Sequence, residues 1–255
     1  SEQCFHSPDE VLQETKNTQP CLYTVETAIA AAVEEAGIRA DLTAGFSLGE
    51  LSALTYAGVT SLEDCLYLVK RRGELMQLAA EKHNTSMAAV IKLTQEQVEE
   101  ACAKYEHIYP VNFNCPGQIS VSGDAAEMER FAETVKEAGG RAKILKVNGA
   151  FHSPYMSEAA EGFGEELKKA AFARPRIPVY SNCTGLPYTD QVAETLKAQI
   201  DHPVKWELIV RHMIEAGADT FVELGPGKTL TGLIKRINPD VRLVNISVPD
   251  DLAQL

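Results

Sequence analysis

Apolar positions recur along this chain in two alternating periods. Residues 24–37 are rich in Ala and Val, with Glu between them and Gly37 at the end, which predicts a helix closed by a glycine cap. Helical spacing returns over residues 51–57 and 62–81, the second with Leu66, Val69, Leu75 and Leu78 as the expected buried stripe. A short run at 41–45 leads as a strand into Gly45-Phe46-Ser47-Leu48-Gly49-Glu50. The texture then changes. Residues 87–93 read as a strand and 94–104 as a helix opened by Thr94 with Gln97 three positions on, a capping box. Strands at 108–114 and 118–122 flank a turn at Cys115-Pro116-Gly117, and a helix capped by Asp124 runs to 138 before a last strand at 142–147. That β-α-β-β-α-β order is the split pattern of a ferredoxin-like unit. Downstream, helices at 157–171, 193–199, 206–216 and 228–237 alternate with strands at 179–181, 220–224 and 242–246. Such alternation predicts a mostly parallel sheet covered on both faces. The expected organisation is a large α/β domain, residues 1–83 and 149–255, interrupted by a small domain at 84–148.

Composition narrows the function classes. The 255 residues carry 24 Lys and Arg against 36 Asp and Glu, a formal net charge of −12. That balance argues against nucleic acid as a partner, since phosphate binding needs a basic face. The apolar runs fall short of the roughly 20 residues of a membrane span. Cys4, Cys21, Cys65, Cys102, Cys115 and Cys183 have no paired spacing, and neither C-x-x-C nor H-E-x-x-H occurs, so free thiols and no metal site are expected. Residues 1–10 are polar and acidic rather than basic and then apolar, unlike a signal peptide, and a cytoplasmic protein is expected.

Gly45-x-Ser47-x-Gly49 is the nucleophile-elbow pattern, in which small residues let strand turn sharply into helix and lift the serine hydroxyl into the open. The Leu48 N–H then points to where an oxyanion forms. Among six histidines, His152 stands apart, in Gly149-Ala150-Phe151-His152-Ser153-Pro154 at the junction of the two domains. By position it is either the base for Ser47 or a structural histidine. Arg72, 25 residues after the serine, is either part of a solvated basic face with Lys70 and Arg71 or a bidentate clamp for a carboxylate. Asn112 and Asn114 flank Phe113 as cleft donors or turn formers. Gly225-Pro226-Gly227-Lys228 lacks the spacing of a phosphate loop.

In order, Gly45-Phe46-Ser47-Leu48-Gly49-Glu50, Arg72-Gly73, Asn112-Phe113-Asn114 with Pro116-Gly117-Gln118, Ala150-Phe151-His152-Ser153 and Glu223-Leu224-Gly225-Pro226-Gly227-Lys228-Thr229-Leu230 resemble the malonyl-CoA:acyl carrier protein transacylase family. The resemblance runs from Thr18-Gln19-Pro20 to about Ile237. It implies an α/β-hydrolase-like large domain carrying the ferredoxin-like insert. It further implies Ser47 as nucleophile, His152 as base, Leu48 as oxyanion donor and the Gln199 carbonyl as the group that orients the histidine. Arg72 would pair with the malonyl carboxylate, with Asn114, Met76 and Phe151 lining the acyl pocket. No cofactor is implied beyond malonyl-CoA and the phosphopantetheine of the partner, an acidic acyl carrier protein. Its docking surface is expected at Arg141, Lys143 and Lys146, or at Lys228, Lys235 and Arg236. The family opens with a strand and a Gly-Gln-Gly-rich loop that the 46 residues before Ser47 do not contain. An incomplete oxyanion hole, an unpaired sheet edge and an impaired or inactive chain are the corresponding expectations. Phe46, where the family commonly has His, is expected to be tolerated. A serine hydrolase or thioesterase of α/β-hydrolase type is the alternative, sharing the elbow but passing the acyl group to water.

Overall fold

The computed structural model describes residues 2–145, 147 and 149–254. Two short polar helices, α1 (Glu2–His6) and α2 (Asp9–Leu12), precede α3 (Thr15–Glu35). The last begins nine residues before the apolar pattern predicts and continues through Pro20. Proline forfeits one ladder bond, but the helix start is anchored by tertiary bonds: Thr15 N–H donates to Gln77 Oε1, and Gln19 and Tyr23 are buried. A two-residue strand, β1 (Thr43–Ala44), enters the elbow and α4 (Gly49–Tyr56) leaves it.

Helix α5 (Leu62–Glu81) has the expected bounds and is capped by Ser61, whose hydroxyl accepts the Asp64 N–H. Its inward face differs from the leucine stripe. Cys65, Leu68, Val69, Arg72, Gly73, Met76, Ala79 and Ala80 are buried, whereas Leu66 and Leu78 are exposed. Small residues on this face allow close packing on α3; a Cβ on Gly73 would stand 3.0 Å from the Thr15 carbonyl oxygen. The same rotation turns Arg72 into the protein rather than toward solvent.

The following segment has the β-α-β-β-α-β order: β2 (Thr85–Ile91), α6 (Gln95–Cys102), β3 (Ile108–Cys115), β4 (Gln118–Asp124), α7 (Ala125–Glu137) and β5 (Arg141–Ile144). Thr94 and Gln97 form the capping box, and Asp124 Oδ1 accepts the Ala126 and Glu127 N–H groups. The strands make an antiparallel sheet of order β3-β4-β2-β5. Met128, Phe131 and Val135 of α7 and Val98 of α6 close a core with Val90, Ile119 and Val121 of that sheet. The last strand ends at Ile144 rather than 147, and Lys146 lies outside the described residues.

A 3-10 turn (Pro154–Met156) leads into α8 (Ser157–Leu167), then β6 (Val179–Tyr180), α9 (Val192–Gln199), α10 (Trp206–Glu215), β7 (Thr220–Leu224), α11 (Thr229–Ile237), β8 (Arg242–Ile246) and a final 3-10 turn (Pro249–Gln254). The expected parallel pairing is present, but among the described residues it forms two separate two-stranded ladders rather than one sheet. β1 pairs with β6 at two positions, and β7 pairs with β8 at five. β1 runs directly into the elbow at Gly45, and Asn182 lies two residues after β6. Among the described residues no ladder joins β1 to β7, and β7 is only half-buried where an interior parallel strand would be covered. The antiparallel sheet meets the rest of the chain through Phe113 N–H to the Val204 carbonyl, Val204 N–H to the Val111 carbonyl, and Ser122 Oγ–H to the Phe151 carbonyl. Among the described residues no helix is long and apolar enough to cross a membrane.

Candidate active site

The elbow is gripped by a side chain distant in the sequence. Asn182, after β6, donates through Nδ2 to the Gly45 carbonyl at 2.7 Å and accepts the Ser47 N–H on Oδ1 at 2.7 Å. This grip keeps Ser47 at φ +52, in the left-handed region that non-glycine residues rarely occupy. α4 starts at once, with Gly49 N–H bonded to the Phe46 carbonyl and Glu50 N–H to the Ser47 carbonyl. Among the described residues no acceptor takes the Leu48 N–H, so it remains free to donate at the serine. The Phe46 ring packs on Trp206 at 5.7 Å between centroids.

His152 reaches the same point from the loop before α8. Its backbone also has positive φ, +60, and the loop is pinned by Ser153, whose hydroxyl donates to the Ala150 carbonyl and accepts the Tyr155 N–H. Nε2 lies 2.9 Å from Ser47 Oγ, and Nδ1 lies 2.8 Å from the Gln199 carbonyl. A carbonyl only accepts, so Nδ1 carries the proton and the Nε2 lone pair faces the serine. Burial, followed by the neighbouring Arg72 charge, lowers the imidazole to about 4. His152 is therefore neutral, the form a base needs, across the physiological range.

Arg72 is 1% exposed and completes the site from α5. Its Nη2 donates to Ser47 Oγ at 3.1 Å and to Gln199 Oε1 at 2.7 Å, and Nη1 donates to Gln19 Oε1 at 2.7 Å. Nε is buried without a partner among the described residues. Burial pushes the guanidinium down to about 10, opposed by Glu50, and it stays cationic at neutral pH. A buried cation held against a hydroxyl by neutral amides has the charge and the donors to bind an anionic group. The solvated-face alternative for Arg72 does not apply to a side chain this buried.

Met76 is buried one turn beyond Arg72, and its sulfur accepts from Gln19 Nε2 at 3.5 Å. Phe151 is half-buried against the α4–α5 core beside His152. Asn114 is buried in β3 and donates to Ser120 Oγ at 3.1 Å, within the antiparallel sheet rather than to Ser47, Arg72 or His152. Ser47, Leu48, Arg72, His152 and Gln199 are thus joined directly, and Met76 through Gln19.

Several members of this constellation have no role in the sequence reading. Gln19 appears there only as the start of the resemblance; a glutamine on the inward face of α3, just before Pro20, is its one local signal. Glu50 ends the elbow motif and is fully buried. It accepts from Gln199 Nε2 at 2.7 Å, from Asn182 N–H at 3.2 Å and from the Tyr188 hydroxyl. Burial raises it to about 7, opposed by those donors and by Arg72. Asn182 and Tyr188 carry no motif at all.

Known proteins resemble this chain in sequence and in fold. The family model described as "Acyl transferase domain" matches residues 3–241. The Bacillus subtilis malonyl CoA-acyl carrier protein transacylase is 37% identical over 97% of this chain and 80% of its own length. The crystal structure of the Clostridium perfringens transacylase superposes with a TM-score of 0.96 at 39% identity, covering 99% of this chain and 82% of that one. A malonyl-transacylase solved in complex with its type II polyketide acyl-carrier protein gives a TM-score of 0.94 at 34% identity, covering 98% and 83%. With a shared fold, more than a third of its residues in common with the Bacillus and Clostridium proteins, and the serine, histidine and arginine brought together at its elbow, the chain belongs to the acyl transferase family, among the malonyl-CoA:acyl carrier protein transacylases.

Proposed function

We propose that Ser47 carries the malonyl group as an ester between the two halves of the reaction. The chain transfers malonyl from malonyl-CoA to an acyl carrier protein, and the observation that carries the residue assignment is the Ser47 hydroxyl held between a neutral imidazole and a buried guanidinium. The hydroxyl proton passes to His152 Nε2 as Oγ attacks the thioester carbonyl, and the Leu48 N–H receives the oxyanion. The C–S bond breaks and the proton returns from His152 to the departing CoA thiolate. The carrier's phosphopantetheine thiol then gives its proton to His152 and attacks the ester; the bond from the carbonyl carbon to Ser47 Oγ breaks, and His152 returns the proton to the serine. Arg72 exchanges its bond to Ser47 for the malonyl carboxylate, with Nε as a further donor, while Met76, Phe151 and Asn114 shape the pocket.

A hydrolase of α/β-hydrolase type orients its histidine with a carboxylate. Here Nδ1 faces a backbone carbonyl, which favours the transferase. The finer architecture fits the same reading: an α/β-hydrolase-like unit of residues 1–83 and 149–255, with a ferredoxin-like unit at 84–148 supported by its own sheet and core. For the carrier, Arg141 and Lys143 lie exposed on β5, and Lys228, Lys235 and Arg236 lie exposed around α11. Six free cysteines support a reducing, cytoplasmic setting.

Intact-mass spectrometry after incubation with malonyl-CoA or acetyl-CoA tests the assignment. A malonyl adduct on Ser47 that is discharged by a carrier thiol is expected. Arg72→Ala is expected to slow malonylation by roughly a hundredfold or more while sparing acetylation, because only the anionic acyl group uses the charge. An adduct that forms on another residue, or equal losses with both thioesters, would remove Ser47 or Arg72 from its role.

A further inference from the structure

We infer that Glu50 is a positioning residue for acyl selectivity: through the Gln199 carboxamide it fixes Arg72 in the orientation that receives a carboxylate. The inference rests on the reading of Ser47 and Arg72 given above. A carboxamide can sit in its site in two orientations that exchange its oxygen and nitrogen. Around Gln199 the choice is forced. Nε2 faces the Ser47 carbonyl, which can only accept, and Glu50 Oε2, which accepts when the carboxyl is ionised, both at 2.7 Å. Oε1 is thereby turned to Arg72 Nη2, also at 2.7 Å. Were the amide reversed, its NH2 would meet the guanidinium donor to donor, and its oxygen would meet two acceptors.

Glu50 is itself fixed from three directions. Oε1 receives the Tyr188 hydroxyl and the Asn182 N–H, Oε2 receives Gln199, and the side chain is fully buried in the first turn of α4. One carboxylate therefore ties the elbow helix, the Asn182 brace and the Gln199 amide into a single arrangement. Its effect on Arg72 passes through Gln199, since no direct bond joins Glu50 to the guanidinium. The main-chain carbonyl of Gln199 separately orients His152. Loss of the amide's orientation therefore disturbs the arginine while leaving that carbonyl in place.

Glu50→Gln is the first test. It keeps the shape but supplies one acceptor oxygen and one NH2, so either Gln199 or Asn182 then faces a donor. Single-turnover acylation of Ser47, followed by intact mass, is expected to fall roughly ten- to a hundredfold with malonyl-CoA and to change by less than about threefold with acetyl-CoA. In an Arg72→Ala background, Glu50→Gln is expected to have almost no further effect on malonylation. Tyr188→Phe removes only one donor to Glu50 and is expected to shift the malonyl-to-acetyl ratio in the same direction by a few fold; it decides the matter if Glu50→Gln does not fold. Equal losses with both thioesters, or an undiminished effect of Glu50→Gln without Arg72, overturn the inference and make Glu50 a brace of the elbow. An adduct on a residue other than Ser47 in the unsubstituted protein would instead overturn the assignment of Ser47.

Discussion

His152→Ala is expected to slow acylation of Ser47 by malonyl-CoA by about 10⁴-fold at pH 7, the upper range for removal of a general base. Among the described residues the imidazole is the only group that places a lone pair on Ser47 Oγ; the other neighbour, Arg72 Nη2, is a donor. Affinity for malonyl-CoA is expected to change little, because His152 bonds Ser47 and Gln199 rather than the carboxylate receptor. The pH dependence follows from the same burial. A base acts above its pKa, so the limb belonging to His152 is present above about pH 4 and lost as pH falls through it. That limb is expected to vanish in the alanine variant. Rapid-quench mass spectrometry across pH reads both effects, and acylation within tenfold of the unsubstituted rate would assign the proton to another acceptor.

The second large effect separates the two glycines of the elbow. A Cβ on Gly45 would stand 1.9 Å from both the carbonyl carbon and oxygen of Gly49 and 2.3 Å from the Glu50 nitrogen. These are backbone atoms of the first turn of α4, so no rotamer change relieves the overlap. Gly45→Ala is therefore expected to cost at least about 4 kcal/mol or to prevent folding. At Gly49 the nearest heavy atom to such a Cβ is Glu26 Oε2, at 4.0 Å. Gly49→Ala is expected to stay within about 1 kcal/mol of the parent protein. Urea unfolding of the two variants measures the contrast; comparable destabilisation would mean that the tight approach at Gly45 relaxes.

This contrast bears on what a motif encodes. Gly45-x-Ser47-x-Gly49 announces the turn and the nucleophile, but it treats its two glycines alike. Helix α5 makes a similar point. Its bounds and its Ser61 cap agree with the local pattern, yet the inward face contains Arg72 and Gly73 and leaves Leu66 and Leu78 in solvent. Hydropathy favours the leucines, whereas close packing on α3 and the placement of a buried cation favour the small residues and the arginine. The mostly parallel sheet was likewise inferred from alternation, which reports the order of elements and not which strand edges meet.

By itself, the sequence determined what depends on neighbours a few residues apart: the Thr94–Gln97 capping box, the Asp124 cap, the β-α-β-β-α-β order and the elbow that presents Ser47. It also held enough ordered motifs to name Arg72, His152 and Gln199 by resemblance. Only the tertiary structure decided how these residues are held. Asn182 grips Ser47 across 135 positions, and Gln199 reaches Glu50 across 149. Hydrogen bonds over such separations leave no period or spacing in the chain, because the partners are brought together by packing after the local elements have formed.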